Sequence, residues 1–236
     1  MALLTSRIRR LLGPSPGDPF PFPPPDLPEP PHLPDGTPWR QVPFLALDLE
    51  TSGLDPATDA ILSIGTVPLD GDRIRPGQAW SSLVAPPSGH PIPERSIRIH
   101  HLLPDRLLGA PPLRQVIPLM LDRLRGRVLV VHVQAVDHGF LNRAFLRTYG
   151  VPFRWPLVDT ARLASFFAEQ PLLGSGTGPH RSLRLPDVAK ALGIPVDRHH
   201  EALGDALLCG EVLLGLASRL ENMGRGTIRD LLRAGT

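Results

Sequence analysis

The stretch Phe44-Leu-Ala-Leu-Asp48-Leu-Glu50-Thr-Ser-Gly-Leu-Asp-Pro56 decides how the rest of the 236 residues are read. Its apolar run, Phe44 to Leu47 and then Leu49, predicts a buried strand over residues 43–49 in the middle of a sheet. Ser52-Gly53 predicts the turn that ends it. Two acids interrupt the run, Asp48 and Glu50. Side chains two apart on a strand share a face, so both carboxylates project together from the centre of the sheet. Like charges there repel each other and resist desolvation. A pair of divalent cations would relieve both costs. The plainer alternative is a frayed strand end with two acids facing water.

Working outward, residues 59–69 predict a second strand, Asp70-Gly71 a hairpin turn, and residues 73–84 a third strand. A short helix is expected near residues 94–100. Residues 113–125 have helical apolar spacing, and Pro118 should kink that helix or mark a boundary. Residues 128–132 predict a short buried strand. A helix over 138–149 follows, stopped by Gly150. The last strand is expected at 156–159, a helix at 160–169, a glycine-rich loop at 172–180 and a helix at 182–192. The longest helix should cover 201–220, with an apolar stripe through Leu203, Ala206, Leu207, Gly210, Leu213, Leu214, Ala217 and Leu220. A short helix closes the chain near 228–232. Three hairpin-joined strands, then strands alternating with helices, predict an α/β sheet with an antiparallel part. Upstream, Leu4, Ile8, Leu11 and Leu12 would share one side of an amphipathic helix over 1–12, although a loosely ordered terminus is the favoured reading there. Residues 13–38 are proline-rich and extended. Residues 1–38 therefore read as a tail and linker, 39–225 as the folded domain and 226–236 as a C-terminal segment.

Two further stretches continue the theme of Asp48 and Glu50. His132-Val-Gln-Ala-Val-Asp137 follows a predicted strand and opens a helix. His200-Glu-Ala-Leu-Gly-Asp205 opens the longest helix. Alone, Asp137 reads as a helix cap, and His200 as a cap or surface residue. Five residues on a helix turn roughly 140° beyond a full circle. His200 should therefore lie in the loop before the helix and reach back toward Asp205. His199 is its rival, which the spacing disfavours. A zinc-protease H-E-x-x-H reading of this stretch fails at Gly204. In order, the three stretches resemble the motifs D-x-E-T-T-G, H-N-x-x-F-D and H-x-x-x-x-D of the DEDD 3′–5′ exonucleases. That family includes the proofreading subunit of bacterial replicative polymerases and ribonuclease T. Ser52 stands in place of the second Thr, and Val133 and Val136 in place of Asn and Phe. The third motif is that of the histidine-bearing DEDDh branch. The resemblance covers about residues 40–220.

The resemblance implies a ribonuclease H-like fold, with a mixed five-stranded sheet, one strand antiparallel, flanked by helices. It implies a metal-dependent exonuclease releasing 5′-mononucleotides from the 3′ end of DNA, or of RNA. Asp48, Glu50, Asp137 and Asp205 would hold two Mg²⁺ or Mn²⁺ ions, and His200 would take a proton from water. Thr51 and Ser52 are expected to contact the terminal nucleotide, Leu54 to wedge against its base, and His132 to line the substrate site. The expected partners are a single-stranded 3′ end and a polymerase or another replication or repair protein. From another class, the alternative is a non-catalytic nucleic-acid or polymerase-binding module with a degraded site. Val133 and Val136 leave it open; intact Asp48, Glu50, Asp137, His200 and Asp205 oppose it.

Composition narrows the field further. The formal net charge is +2, the sequence pI is about 9.3, and Lys190 is the one lysine among 25 basic residues. Arginine suits phosphate, yet so small a net charge supports a local phosphate-binding cleft and not a protein that coats nucleic acid. No run approaches the ~20 apolar residues of a transmembrane segment. The first twelve residues, interrupted by arginines, are not a secretory signal. The single cysteine, Cys209, excludes an intramolecular disulfide and fits a reducing, cytoplasmic setting.

Overall fold

The computed structural model describes residues 27–168, 182–196 and 200–235. The expected helix over 1–12, the first half of the proline-rich stretch, the glycine-rich loop 172–180 and His199 lie outside them. In chain order the elements are β1 (Pro43–Thr51), β2 (Ile61–Asp70), β3 (Arg73–Ile74), β4 (Trp80–Leu83), α1 (Glu94–His100), α2 (Leu113–Leu124), β5 (Val128–Val131), α3 (Gln134–Tyr149), β6 (Leu157–Asp159), α4 (Thr160–Ala168), α5 (Leu185–Ala191), α6 (Ala202–Asn222) and α7 (Ile228–Ala234). The sheet runs β3-β2-β1-β5-β6, with β4 also paired to β2. β1 is parallel to β5, and β5 to β6. β2 runs antiparallel to β1, β3 and β4, so among the described residues it is the single antiparallel strand of a mixed sheet. Six described strands stand where five are expected. The strand predicted over 73–84 breaks at Pro76-Gly77, where proline has no amide to give to a ladder, and residues Pro76–Gln78 coil into a 3-10 turn.

Alternation along β1 divides the core. Phe44 and Ala46 pack beneath α4 to α7, whereas Leu45, Leu47 and Leu49 pack against α2 and α3. Each large apolar side chain buried this way contributes roughly 1.5–3 kcal/mol. By the two-residue period, Asp48 and Glu50 fall on the face shared by Phe44 and Ala46, beneath α6. α6 buries more than the single predicted stripe. Leu208, Cys209, Val212 and Leu216 are buried, while Leu203, Leu207 and Leu214 are half-buried. The cause is a helix covered on more than one side, by the sheet and by α4, α5 and α7. α2 runs through Pro118 with no boundary. A proline inside a helix costs about 3 kcal/mol, and buried Val116, Ile117, Met120, Leu121 and Leu124 on both sides of it offset that.

The ends of the described chain are tied to each other. Ile228 N donates to Thr37 O at 2.8 Å and Trp39 N to Gly226 O at 3.0 Å. Thr227 and Asp230 cap α7 reciprocally. Ile228 and Leu231 are buried in the α4–α7 core. Residues 226–235, set apart in the sequence reading, thus share the core of residues 39–225.

Candidate active site

Three elements bring the acids together. β1 supplies Asp48, half-buried, and Glu50, 8% exposed. Gly65 of β2 sits opposite Asp48 in the ladder. A Cβ on Gly65 would fall on the backbone of Ala202 and Leu203, the first residues of α6. Only a residue without a side chain lets the helix start this close to the sheet. That approach carries Asp205, in the first turn of α6, to the strand. One carboxylate oxygen from each of Asp48, Glu50 and Asp205 lies within 4.8 Å of the others. The third element, α3, holds Asp137 in its first turn, 4% exposed.

The charges of this group oppose one another. Burial first, then Asp137, Glu50 and Asp205, push the Asp48 carboxyl well above the usual carboxylate range. Burial, then Asp205 and Glu201, push Glu50 up to about 8. Burial, then Asp159, also raise Asp137, with backbone hydrogen bonds from its own residue and Leu49 opposing the rise. Hard oxygen donors with surplus negative charge in a desolvated place are the donor set that Mg²⁺ and Mn²⁺ take, so the residues present fit a divalent cation.

His200 lies just before α6, half-buried and in the left-handed region at φ 63°. It reaches Asp205 through its backbone, its N–H donating to Asp205 Oδ2 at 2.9 Å. Asp137 is not the cap of α3. The helix starts at Gln134, earlier than expected, because Asp159 accepts from Val133 N (3.1 Å) and Gln134 N (2.8 Å). Asp159 also accepts from Ala161 N (2.8 Å) and Arg162 N (3.3 Å), so one buried carboxylate holds the starts of two helices. In the sequence alone Asp159 reads merely as a strand end. An Asp between a predicted strand and a predicted helix is the capping signal that could have found it.

The residues expected around the substrate divide. Leu54 is 78% exposed at the tip of the loop after β1. Thr51 is half-buried, and its hydroxyl donates to Gly53 O at 2.6 Å. Ser52 is fully buried and anchors the loop instead of facing solvent. Its hydroxyl donates to Asp59 Oδ1 (3.0 Å), accepts from Ala60 N (3.0 Å) and meets His90 Nε2 (2.8 Å). Its carbonyl accepts from Ser96 Oγ at 2.7 Å. This Ser, His and Asp are not wired as a hydrolytic triad, since the carboxylate takes its bond from the serine and not from the histidine. His132 is a brace. Its Nε2 donates to Leu183 O (2.7 Å), and its Nδ1 meets Thr160 Oγ1 (2.8 Å), whose hydroxyl also lies 3.1 Å from Val131 O. Burial holds its pKa down.

The RNase_T family of exonucleases matches residues 45–213 of this chain. The PolC-type DNA polymerase III of Thermotoga maritima is 28% identical over 193 residues, which are 82% of this chain and 13% of that protein. The DNA polymerase III subunit epsilon of Treponema pallidum is 31% identical over 173 residues, 73% of this chain and 75% of the relative. The chain thus spans a small fraction of the PolC-type relative and most of the epsilon relative. Among solved structures, E. coli exonuclease I in complex with a dT13 oligonucleotide superimposes with a TM-score of 0.66 at 16% identity, covering 78% of this chain and 43% of the other. Exonuclease X in complex with 5′-overhanging duplex DNA superimposes with a TM-score of 0.60 at 20% identity, covering 82% and 99%. These neighbours share the ribonuclease H-like fold expected from the motifs. With a family match from β1 into α6 and an epsilon relative aligned over three quarters of its own length, this chain belongs to the exonuclease family.

Proposed function

We propose that the chain is a 3′–5′ exonuclease dependent on divalent cations, releasing 5′-mononucleotides from a single-stranded 3′ end. The observation that carries this reading is the meeting of Asp48, Glu50 and Asp205 oxygens within 4.8 Å, in a place where burial raises the carboxyls of Asp48 and Glu50. Asp48, Glu50 and Asp205 would hold two Mg²⁺ or Mn²⁺ ions, with Asp137 supporting them from α3. Bound there, such ions neutralise phosphodiester charge and lower the pKa of water. The chain's own residues do the rest. His200 accepts the proton of the attacking water, from a loop position that its backbone bond to Asp205 fixes. Exposed Leu54 supplies an apolar edge for the terminal base, in the way that apolar and aromatic side chains serve single-strand sites. A polymerase of the kind its relatives are named for is the proposed partner. A cytoplasmic setting is part of the proposal, supported by the lone buried thiol of Cys209. No described helix is long and apolar enough to cross a membrane.

The test uses 5′-labelled single-stranded DNA, the same sequence as RNA, and a duplex with a mismatched 3′ end, each with Mg²⁺ or Mn²⁺. A ladder growing from the 3′ end, with 5′-mononucleotide as product, is expected. Asp48→Asn should lower the rate by at least ~10²-fold, and His200→Ala by ~10²–10⁴-fold with cation affinity kept. Binding of all three substrates without cleavage of any would leave the non-catalytic module in its place.

A further inference from the structure

A cavity of about 470 Å³ lies outside the acid cluster, and none of the four acids lines it. Residues 58–61, the proline-rich connection after β4, the start of α2 and residues 140–148 of α3 wall it. Arg114 of α2 and Arg143 and Arg147 of α3 line it. None of the three forms an ion pair or a side-chain hydrogen bond among the described residues. Among the described residues Asp59 is the one carboxylate in the wall, and its oxygens already accept from Ser52 Oγ (3.0 Å) and Asp55 N (3.0 Å). The cavity therefore holds a surplus of positive charge borne on guanidinium forks, whose geometry matches phosphate.

Its place in the fold points to the source of that phosphate. α3 carries Asp137 in its first turn, and Arg143 and Arg147 lie about 9 and 15 Å further along the same axis. Residues four apart share a helix face, so the two arginines form one stripe. Gly139 lets Pro56 close onto α3 between the acid and the arginines, where a Cβ would press on the proline ring at 2.9 Å. The loop from Gly53 to Asp59 thus meets α3 between Asp137 and the arginines, and its Thr58 and Asp59 also wall the cavity. Single-strand channels track a backbone over about 4 nucleotides or more, a length that reaches past such a loop. We propose that this cavity binds the sugar–phosphate backbone of the substrate strand, upstream of its terminal nucleotide. The proposal rests on the exonuclease reading for the position of the 3′ end. The backbone chemistry is common to DNA and RNA.

The test separates the two claims. In an Asp48→Asn background, binding of oligonucleotides from about 2 to about 8 residues long, as DNA and as RNA, is measured over a salt series. The same is done with Arg114→Ala, Arg143→Ala and Arg147→Ala combined. Cleavage of a dinucleotide is measured with the three arginine changes in the otherwise unaltered chain, and thermal unfolding checks each variant. Loss of three phosphate contacts should lower octamer affinity by ~10-fold or more and reduce the salt slope by about 2, at ~0.7 per phosphate on a single strand. Dinucleotide cleavage should be unchanged. Lys replacements should restore most of the slope. Octamer binding indifferent to the arginines would overturn the cavity assignment while dinucleotide cleavage kept the exonuclease reading. Equal loss for dinucleotide and octamer would also overturn it, as a general field effect. An arginine-dependent octamer without any cleavage by the unaltered chain would keep the strand site and remove the nuclease reading. A response in only one of DNA and RNA would name the source.

Discussion

Val133 is a β-branched residue at φ 70°, ψ 71°, at the N-cap of α3. A left-handed residue with a Cβ costs roughly 1–2 kcal/mol, and Asn tolerates that region better than Val. The strain persists because Asp159 grips the amides of Val133 and Gln134. Val133→Asn is therefore expected to stabilise the protein by about 1 kcal/mol; a thermal melt no higher than wild type would show that the grip already absorbs the cost. Asp159→Ala removes the caps of α3 and α4 together. At ~1 kcal/mol per cap, a loss of about 2 kcal/mol in denaturant unfolding is expected, and Asp159→Asn should recover part of it. At this scale the acids were legible because they interrupt or bound apolar runs. The strain at Val133 was not, since φ depends on where the helix starts.

Among the elements, α6 decides whether the acid cluster exists. Its first turn rests on Gly65, so Asp205 reaches β1 only while that position lacks a Cβ. Gly65→Ala meets backbone, which cannot swing aside as a flexible side chain would. A stability loss of roughly 1–3 kcal/mol is expected, together with a fall in Mg²⁺ or Mn²⁺ affinity as Asp205 moves out. Calorimetric titration would read the second effect directly. Cation binding equal to wild type would mean that Asp205 does not depend on this approach. Helix α6 itself was readable from its long apolar pattern, but its buried face was read too narrowly. A helix covered by both a sheet and other helices has no single stripe to find.

At the scale of the whole molecule, the buried acids set how stability responds to pH. Glu50 rises from a model-peptide value of 4.5 to about 8 in the fold. A carboxyl raised by folding contributes stability that is fully present below the unfolded value and is lost as pH climbs through the folded one. In cation-free buffer the Glu50→Gln variant should therefore melt close to wild type near pH 4.5 and clearly above it beyond about pH 8. A gap on the order of a few kcal/mol is expected at the alkaline end. The comparison isolates Glu50 from half-buried His132 and buried His100, whose lowered pKa values act in the opposite sense. Saturating Mg²⁺ should reverse the gap, because the cation stabilises only the protein that keeps its ligand. A difference that ignores pH would remove burial as the source of the Glu50 shift.

What the sequence determined by itself was periodicity and order. The two-residue period placed Asp48 and Glu50 on one face, apolar runs marked the central strands, and the order of acids along the chain pointed to one family. Those features are local, and local patterns survive in a linear string. The tertiary structure decided which groups meet. It set Asp205 against Asp48 across a glycine, made Asp159 the clamp of two helices, and turned Ser52 and His132 inward as braces. It also broke the third strand at a proline and gathered Arg114, Arg143 and Arg147 around one cavity. Each of these depends on distances between residues far apart in the chain, and such distances exist only once the helices have packed onto the sheet.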